Sequence, residues 1–224
     1  MQSLKGLVSG TCLVVACLVA PAYAQNSHTD FNGDGKADIL WRSGSGENYI
    51  FFMDGTSLLG TSNYTNTVPD LNWLIAGSRD YDGDGKADIL WRNKTSGENY
   101  VFLMDGTVIK AGSNYINSVP DLGWHIVGSG DFDGDGKADI LWRNKVTGED
   151  YLFLMNGTTV RAGSGYTNLV PDLNWQIAGV GDFDGDGKAD ILWRNKTTGE
   201  NYIFLVNGTT VLGASGYINS VPDP

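Results

Sequence analysis

Short apolar runs alternate with glycine-rich polar turns along the chain, and the last repeat shows the pattern most clearly. The run Trp175–Gly179 alternates apolar and polar positions, which is typical of a half-buried strand. Ile191–Arg194 predicts a second strand, and Tyr202–Val206, apolar on both faces, predicts a third strand between two layers. The dipeptide Asn207-Gly208 is a hairpin signal, and a weaker fourth strand is predicted at Thr209–Leu212. No window sustains a period of 3.6 residues, so helices are not expected.

A nine-residue acidic segment, Asp-aromatic-Asp/Asn-Gly-Asp-Gly-Lys-Ala-Asp, occurs four times and marks an internal repeat. The copies begin at Asp30, Asp80, Asp131 and Asp182. Their spacings are 50, 51 and 51 residues, and each copy is followed by Ile-Leu-Trp-Arg. Repeats of about 50 residues indicate solenoids or propellers, and four antiparallel strands form one propeller blade. The sequence therefore predicts an all-β, β-propeller-type array of about four four-stranded blades. The predicted repeats span residues 30–79, 80–130, 131–181 and 182–224.

The two ends of the array are expected to differ from its middle. Only residues 25–29 lie between the predicted leader and Asp30, so the strand with the pattern Trp-x-Ile-x-Gly is missing and the first blade is incomplete. The chain stops at Pro224, just before the same strand would begin again. Unpaired strand edges favour pairing with another chain. The array is therefore expected to stay open or to be completed by oligomerisation, for instance as two chains in a ring of about eight blades. A compact closed ring of four blades is the alternative.

Residues 1–24 predict a signal peptide that precedes a repeat domain at 25–224. Lys5 is followed by the largely apolar stretch 7–20, and Ala22-Tyr23-Ala24 provides a small-x-small cleavage pattern. The segment is too short to favour a membrane span, so a secreted protein, extracellular or periplasmic, is expected. The run Val14–Cys17 also resembles a lipobox, which leaves a lipoprotein anchored at Cys17 as the alternative. Both cysteines lie in this leader, so the mature chain has no disulfide.

The net charge excludes one class of partner and draws attention to the repeated loops. The chain carries a formal charge of −11, which disfavours binding to nucleic acid. Much of that charge is concentrated in the four acidic segments. So many carboxylates within nine residues require a positive charge to neutralise them, and a bound divalent ion would provide it.

The spacing within each loop is that of a calcium-binding turn. Side-chain oxygens alternate at positions 1, 3, 5 and 9, the backbone carbonyl of Lys at position 7 completes the set, and glycines at positions 4 and 6 let the chain curl. Oxygen ligands without His or Cys favour Ca²⁺ over zinc or copper, so about four Ca²⁺ sites are predicted. The candidate metal ligands are Asp30, Asn32, Asp34, Lys36, Asp38, Asp80, Asp82, Asp84, Lys86, Asp88, Asp131, Asp133, Asp135, Lys137, Asp139, Asp182, Asp184, Asp186, Lys188 and Asp190.

These loops are not EF-hands, although the opening is similar. An EF-hand needs a bidentate Glu at the twelfth position and a helix on each side. The twelfth residues here are Trp41, Trp91, Trp142 and Trp193, each inside a predicted strand. An acidic, Asx-rich turn without an ion is the alternative interpretation. If an ion binds, a structural role in the hairpin is favoured over a role in which the ion itself contacts a molecule bound by the protein.

The loop pattern, followed by Ile-Leu-Trp and preceded in the last two repeats by Gly-Ser/Val-Gly-Asp-Phe, resembles the FG-GAP or VCBS repeat. The resemblance covers nearly all of residues 30–224. It implies a calcium-binding blade of the kind found in integrin α-subunit-like β-propellers, with the ion in the hairpin between the first two strands. It carries the ligand roles onto the residues named above. Two departures limit it: Asn32 replaces an Asp, and rings of this family have about seven blades.

The interchangeable repeats favour a non-catalytic module that binds a protein or a glycan, because an enzyme usually needs one asymmetric constellation. A carbohydrate-active enzyme, a lyase or hydrolase, and an accessory fragment of a larger partner are the alternatives. The recurring Trp-Arg pair, first seen at Trp41-Arg42, with a downstream Glu could form a sugar site. Alternation places Trp and Arg on opposite faces of a strand, so Trp in the core with Arg at the rim is favoured.

Overall fold

The computed structural model describes residues 29–221, and every regular element there is a β-strand. The predicted signal peptide and the Cys17 alternative lie outside the described residues. The first unit contains β1 (Ile39–Arg42), β2 (Asn48–Phe51), β3 (Met53–Asp54), β4 (Ser57–Leu58) and β5 (Asn63–Tyr64). The second contains β6 (Trp73–Arg79), β7 (Asp88–Asn93), β8 (Asn99–Phe102), β9 (Met104–Asp105), β10 (Val108–Ile109) and β11 (Asn114–Ile116).

The third and fourth units repeat the second. The third contains β12 (Trp124–Gly130), β13 (Asp139–Asn144), β14 (Asp150–Phe153), β15 (Met155–Asn156), β16 (Thr159–Val160) and β17 (Gly165–Tyr166). The fourth contains β18 (Trp175–Gly181), β19 (Asp190–Asn195), β20 (Asn201–Phe204), β21 (Val206–Asn207), β22 (Thr210–Val211) and β23 (Gly216–Ile218). Among the described residues no helix is long and apolar enough to cross a membrane.

Each complete unit is one antiparallel four-stranded sheet. The orders are β6-β7-β8-β11, β12-β13-β14-β17 and β18-β19-β20-β23, and a small two-stranded ribbon follows the third strand of each sheet. Among residues 29–221 the first sheet has three strands, β1-β2-β5, which confirms the prediction of an incomplete first blade. The sheets form an open, propeller-like array within residues 29–221, in which the innermost strands β6, β12 and β18 lie side by side.

A strand forms within the predicted run of the last repeat, but its predicted place as the fourth strand of the sheet was wrong. Within the run Thr209–Leu212, the residues of β22 pair with β21 in the small ribbon, while the outer strand of the sheet is β23. The reason is the hairpin at Asn207-Gly208: Gly208 has a φ of 59°, so the chain reverses at once after the third strand. The outer strand is then aligned by Ser215, whose hydroxyl accepts a hydrogen bond from the backbone N–H of Leu205 at 2.9 Å.

The core lies between successive sheets rather than within one of them. Three apolar clusters fill the gaps between the first and second, second and third, and third and fourth units. Trp142, which is 1% exposed, belongs to the cluster in the second gap. The far face of the fourth sheet is less covered: Phe183 is 46% exposed, whereas its counterpart Phe132 is fully buried. Each unit is therefore stabilised mainly by its neighbours.

The recurring Trp-Arg pair joins neighbouring units instead of forming a sugar site. The guanidinium carbon of Arg143 lies 4.7 Å from the ring centroid of Trp193 in the following unit. The same contact links Arg42 to Trp91 and Arg92 to Trp142. The prediction that Trp belongs to the core is confirmed for Trp91, Trp142 and Trp193, which are 1% exposed, whereas Trp41 is only partly buried. The rim position predicted for Arg was wrong for Arg42 and Arg143, which are buried because each reaches across its strand to the next unit.

Candidate metal centre

Each acidic segment forms the loop that leads into the second strand of a complete sheet, or into β1 in the first unit. We name them the first (30–38), second (80–88), third (131–139) and fourth (182–190) loops. In the third loop Gly134 and Gly136 have φ values of 80° and 83°, in the left-handed region where a side chain is strained. The predicted need for glycine at positions 4 and 6 therefore has a backbone cause.

The carboxylate at position 1 closes each loop on itself. In the third loop, Asp131 accepts hydrogen bonds from the backbone N–H groups of Gly134 at 2.7 Å, Asp135 at 3.1 Å and Gly136 at 2.8 Å. The other loops have equivalent contacts to Gly at positions 4 and 6. These bonds hold the backbone in a tight curl around the acidic side chains.

The carboxylate at position 9 is the buried anchor. Asp139 accepts one hydrogen bond from Phe132 N–H and one from Met155 N–H, both at 2.8 Å, and it has no exposed surface. It therefore ties the loop to the small ribbon of the same unit. Burial raises the pKa of Asp139 to about 7, despite the two hydrogen bonds that favour its charged form. The same cause raises the pKa of Asp88 to about 7 and that of Asp38 and Asp190 in the same direction.

Carboxylates at positions 1, 3 and 9 converge in three loops. Their oxygens lie within 4.8 Å of one another in the groups Asp80/Asp82/Asp88, Asp131/Asp133/Asp139 and Asp182/Asp184/Asp190. In the second and third loops one carboxylate oxygen at position 3, Oδ1 of Asp82 and of Asp133, is buried without a hydrogen-bond partner. An unpartnered buried carboxylate oxygen beside two further carboxylates fits a hard divalent cation.

The remaining predicted ligands do not belong to a group of three converging carboxylates. Asn32 stands at position 3 of the first loop, where it leaves two carboxylates, Asp30 and Asp38, at positions 1 and 9. The carboxylates at position 5 lie outside the three converging groups. The Lys side chains at position 7 pair with acids, as Lys36 does with Asp54 at 2.9 Å. Lys86 similarly contacts Asp105, and Lys188 contacts Asp186 at 3.0 Å. The Lys backbone carbonyls stay predicted ligands.

Two cations that the sequence analysis did not single out contact the loops. Lys110 follows the ribbon of the second unit and pairs with Asp82 and Asp84, while Arg161 occupies the same place in the third unit and pairs with Asp133 and Asp135. Burial lowers the pKa of Lys110, but hydrogen bonds to the two carboxylates outweigh it and raise the pKa above its ordinary value. Aligning the repeats would have found both positions, since the two central repeats have a basic residue there and the two outer repeats have Leu.

The loops also contact one another along the array. The carbonyl of Asp131 accepts a hydrogen bond from Ala189 N–H of the next loop at 2.6 Å, and equivalent bonds join the earlier loops. The first, second and third loops line an open cleft of about 340 Å³, with Arg79 among its walls. Gly130 and Gly181 take the place of Arg79 in the later units, so the cleft is asymmetric. Because backbone hydrogen bonds join each loop to the next, order in one loop is coupled to order in its neighbour.

The third unit also carries a buried carboxylate where the others carry an amide. Asn48, Asn99 and Asn201 each donate to a backbone carbonyl in the outer segment of their own unit, at 2.6, 2.8 and 3.0 Å. Asp150 replaces them and pairs with Arg143 at 3.1 Å. Burial raises the pKa of Asp150 to about 7, against the opposing charge and hydrogen bond of Arg143.

Replacing Asp150 by Asn is expected to stabilise the protein above neutral pH. Because burial raises the folded-state pKa of Asp150, the protonated acid favours the folded state. This contribution to the free energy of unfolding is complete below the unfolded pKa of about 4 and is lost as the pH rises through about 7. The gain of Asp150→Asn over the native chain should therefore grow by about 4 kcal/mol between pH 4 and pH 8. Denaturant unfolding of both proteins at the two pH values measures it. A constant difference would contradict the assignment.

Comparison with known proteins agrees with the repeat structure. The profile of the FG-GAP-like repeat matches residues 80–142 and 131–193. The solved structures include a similar chain, the Vibrio cholerae biofilm matrix protein Bap1, at 20% identity and a TM-score of 0.32. The alignment covers 87% of this chain and 29% of Bap1. The comparison with curated protein sequences gives no significant match.

Proposed function

The chain belongs to the FG-GAP-like repeat family, and on that premise we propose that it is a secreted, calcium-stabilised and non-catalytic binding module. The observation that carries the proposal is the convergence of three carboxylates in the second, third and fourth loops, with a buried oxygen left unpartnered in two of them. Positions 1, 3 and 9, together with the position 5 side chain and the position 7 carbonyl, are the proposed Ca²⁺ ligands. About four ions would bind, one in each loop.

The proposed role of the ion is structural. It would neutralise the charge of buried carboxylates such as Asp139, whose ionised form is otherwise disfavoured by burial, as the raised pKa shows. The position 9 carboxylate is hydrogen-bonded to the small ribbon and position 1 is linked to the next loop, so an ion between them would stabilise contacts within and between units. In a mature chain without cysteine, such ions would take the place of disulfides.

The proposed activity is multivalent binding of an extracellular protein or glycan. A row of tyrosines supports it: Tyr64, Tyr115, Tyr166 and Tyr217 occupy one place on the outer strand of every unit and are 53–67% exposed. Each packs edge-on against the Tyr of the adjacent strand, which fixes its orientation. Rigid, repeated aromatic rings bind the apolar faces of sugars or side chains of a partner, and repetition raises avidity.

Binding of a polysaccharide is expected to depend on this tyrosine row. The test is an immobilised glycan array probed with calcium-loaded protein and with a variant in which Tyr115 and Tyr166 are both Ala. We expect loss of about tenfold or more in apparent affinity, because two aromatic contacts are removed from a multivalent surface. Replacing the exposed Val108 and Val146 by Ala is the control. No binding to any sugar would reject the glycan form of the proposal and leave a protein partner.

We propose that the chain associates with itself through the uncovered face of the fourth unit. In the third unit the equivalent face is covered by the next unit, which buries Phe132 and Leu141. At the fourth unit the counterpart Phe183, in the loop that leads into β19, is 46% exposed, so we propose that a second copy of the chain covers this face. Light scattering should then show a concentration-dependent dimer that Phe183→Asp abolishes. A strict monomer at high concentration would reject this contact.

A further inference from the structure

One position distinguishes the four loops from one another. The residue that follows the small ribbon donates its backbone N–H to the carbonyl of the residue just before that ribbon, at 2.7–2.8 Å in every unit, so the place is structurally equivalent. The residues in this place are Leu59, Lys110, Arg161 and Leu212. Two central units thus carry a cation where the two outer units carry an apolar side chain.

Both cations are directed at the acidic side chains of their own loop. The ammonium of Lys110 lies 2.5 Å from Oδ2 of Asp82 and 2.6 Å from Oδ2 of Asp84. Arg161 contacts Oδ2 of Asp133 at 2.8 Å and Oδ2 of Asp135. In each case the cation holds the carboxylates at positions 3 and 5, which are two of the five proposed ligands of the loop.

The fourth loop provides a matched comparison. It has the same four Asp residues as the second and third loops and the same Lys at position 7. Leu212 stands where Lys110 and Arg161 stand, so the side chain in that place cannot pair with Asp184 or Asp186. Asp186 instead pairs with Lys188 at position 7 of its own loop, at 3.0 Å. Counting these four Asp, the Lys at position 7 and the residue after the ribbon, the second and third loops carry a charge of −2 and the fourth loop −3.

A resident cation has two opposing effects on such a loop. Without a metal ion it screens the repulsion between neighbouring carboxylates and keeps the loop ordered. When a divalent ion approaches, the like charge repels it, and two carboxylates must be shared or released. At the effective dielectric of a protein surface, one such charge a few ångströms away lowers affinity by about tenfold or more.

We propose that Lys110 and Arg161 are resident counter-cations that lower the divalent-cation affinity of the second and third loops and keep those loops ordered without an ion. The fourth loop lacks such a cation after its ribbon and has Lys188 of its own loop on Asp186 at 3.0 Å, so it is then the loop whose order depends most on calcium. The inference rests on the proposed function, namely that these loops bind a divalent cation. The first loop stands apart, since Asn32 already removes one carboxylate.

The experiment exchanges the residues between units. In the variant Lys110→Leu/Arg161→Leu, the second and third loops receive the side chain of the fourth. In the reciprocal variant Leu212→Lys, the fourth loop receives the cation. Both exchanges use residues that the same place already accommodates in a sister unit, so folding is expected to survive. The control is Lys94→Leu/Lys145→Leu, which removes two charges at the exposed turns that follow β7 and β13, at the ends of these strands far from the loops.

Backbone amides of loop glycines report each loop separately. Protein labelled with ¹⁵N-glycine is stripped with chelator and titrated with CaCl₂ while the amide signals of Gly83, Gly134 and Gly185 are followed. These amides donate to the carboxylates at position 1 and report both order without metal and the binding curve. In the native chain Gly185 should respond at about tenfold lower calcium than Gly83 and Gly134, and its signal should be broadened before calcium is added.

The expected results differ for each protein. Lys110→Leu/Arg161→Leu should lower the calcium midpoint of Gly83 and Gly134 by about tenfold and broaden their signals in chelator. Leu212→Lys should raise the midpoint of Gly185 by a similar factor, and the control should change neither. Calcium binding with unchanged midpoints in both exchange variants would overturn the counter-cation inference while the calcium proposal stands. No calcium response in any loop of any variant would overturn both.

Discussion

Removing calcium is expected to lower the melting temperature of the protein by about 10 °C or more. Extracellular sites bind Ca²⁺ with dissociation constants of about 10⁻⁴–10⁻³ M, so at about 10 mM calcium each occupied loop gains about 1–3 kcal/mol of stability. In a repeat domain of this size, about 1 kcal/mol corresponds to roughly 2–4 °C. Several loops act together because each is hydrogen-bonded to the next, as Ala189 is to Asp131.

Thermal unfolding followed by circular dichroism tests this expectation in three solutions. One contains calcium, one contains chelator, and one contains chelator with KCl at matched ionic strength, because salt alone screens the acidic chain. Magnesium is the specificity control, since it demands octahedral geometry and retains its waters. Equal melting temperatures with calcium and with chelator would reject the metal sites in all four loops.

Replacing Asp139 by Ala is expected to destabilise the protein by about 3–5 kcal/mol even in chelator. The substitution leaves two buried backbone donors, Phe132 N–H and Met155 N–H, without an acceptor. Each unpaired donor costs about 1–3 kcal/mol, and the side chain leaves a cavity. The effect is measured as the free energy of unfolding in denaturant. Asp172→Ala is the control, since Asp172 is exposed and accepts two hydrogen bonds in an exposed turn, from the backbone N–H and the side-chain amide of Asn174.

A second variant separates the hydrogen-bonding role of Asp139 from its proposed role as a ligand. Asp139→Asn keeps the size of the side chain and one acceptor oxygen but removes its negative charge. In chelator it should cost less than the Ala variant, whereas the stabilisation by calcium should fall by about one site, or 1–3 kcal/mol. If the native and Asn proteins gained equal stability from calcium, Asp139 would not be a ligand of the ion.

The periodic features of the chain could be predicted from the sequence, because the same residue pattern recurs in every repeat. The all-β class, the loop positions, the need for Gly134 and Gly136 and the burial of Trp142 all follow from local pattern and side-chain chemistry. The incomplete first blade follows from counting repeats. These features depend on neighbours along the chain, which a single sequence displays directly.

Features that depend on contacts between distant segments could not be predicted in the same way. The fourth strand was misplaced because Thr210 and Val211 have strand-forming side chains, while the pairing partner is decided by the hairpin at Gly208. The burial of Arg143 depends on Trp193, a ring in the next unit. The contact of Lys110 with Asp82 spans 28 residues of sequence, so no local pattern marks Lys110 as a partner of the second loop.

The stacking of each Arg on the Trp of the following unit gives the array a direction and makes its length adjustable. Every junction between complete units uses the same surfaces, with Arg92 or Arg143 on one side and Trp142 or Trp193 on the other. Duplication of one 51-residue segment would therefore insert a unit whose two junctions already exist in the protein. A gene encoding such a chain can lengthen or shorten by whole repeats, and with them change the number of loops and tyrosines it displays, without evolving a new interface.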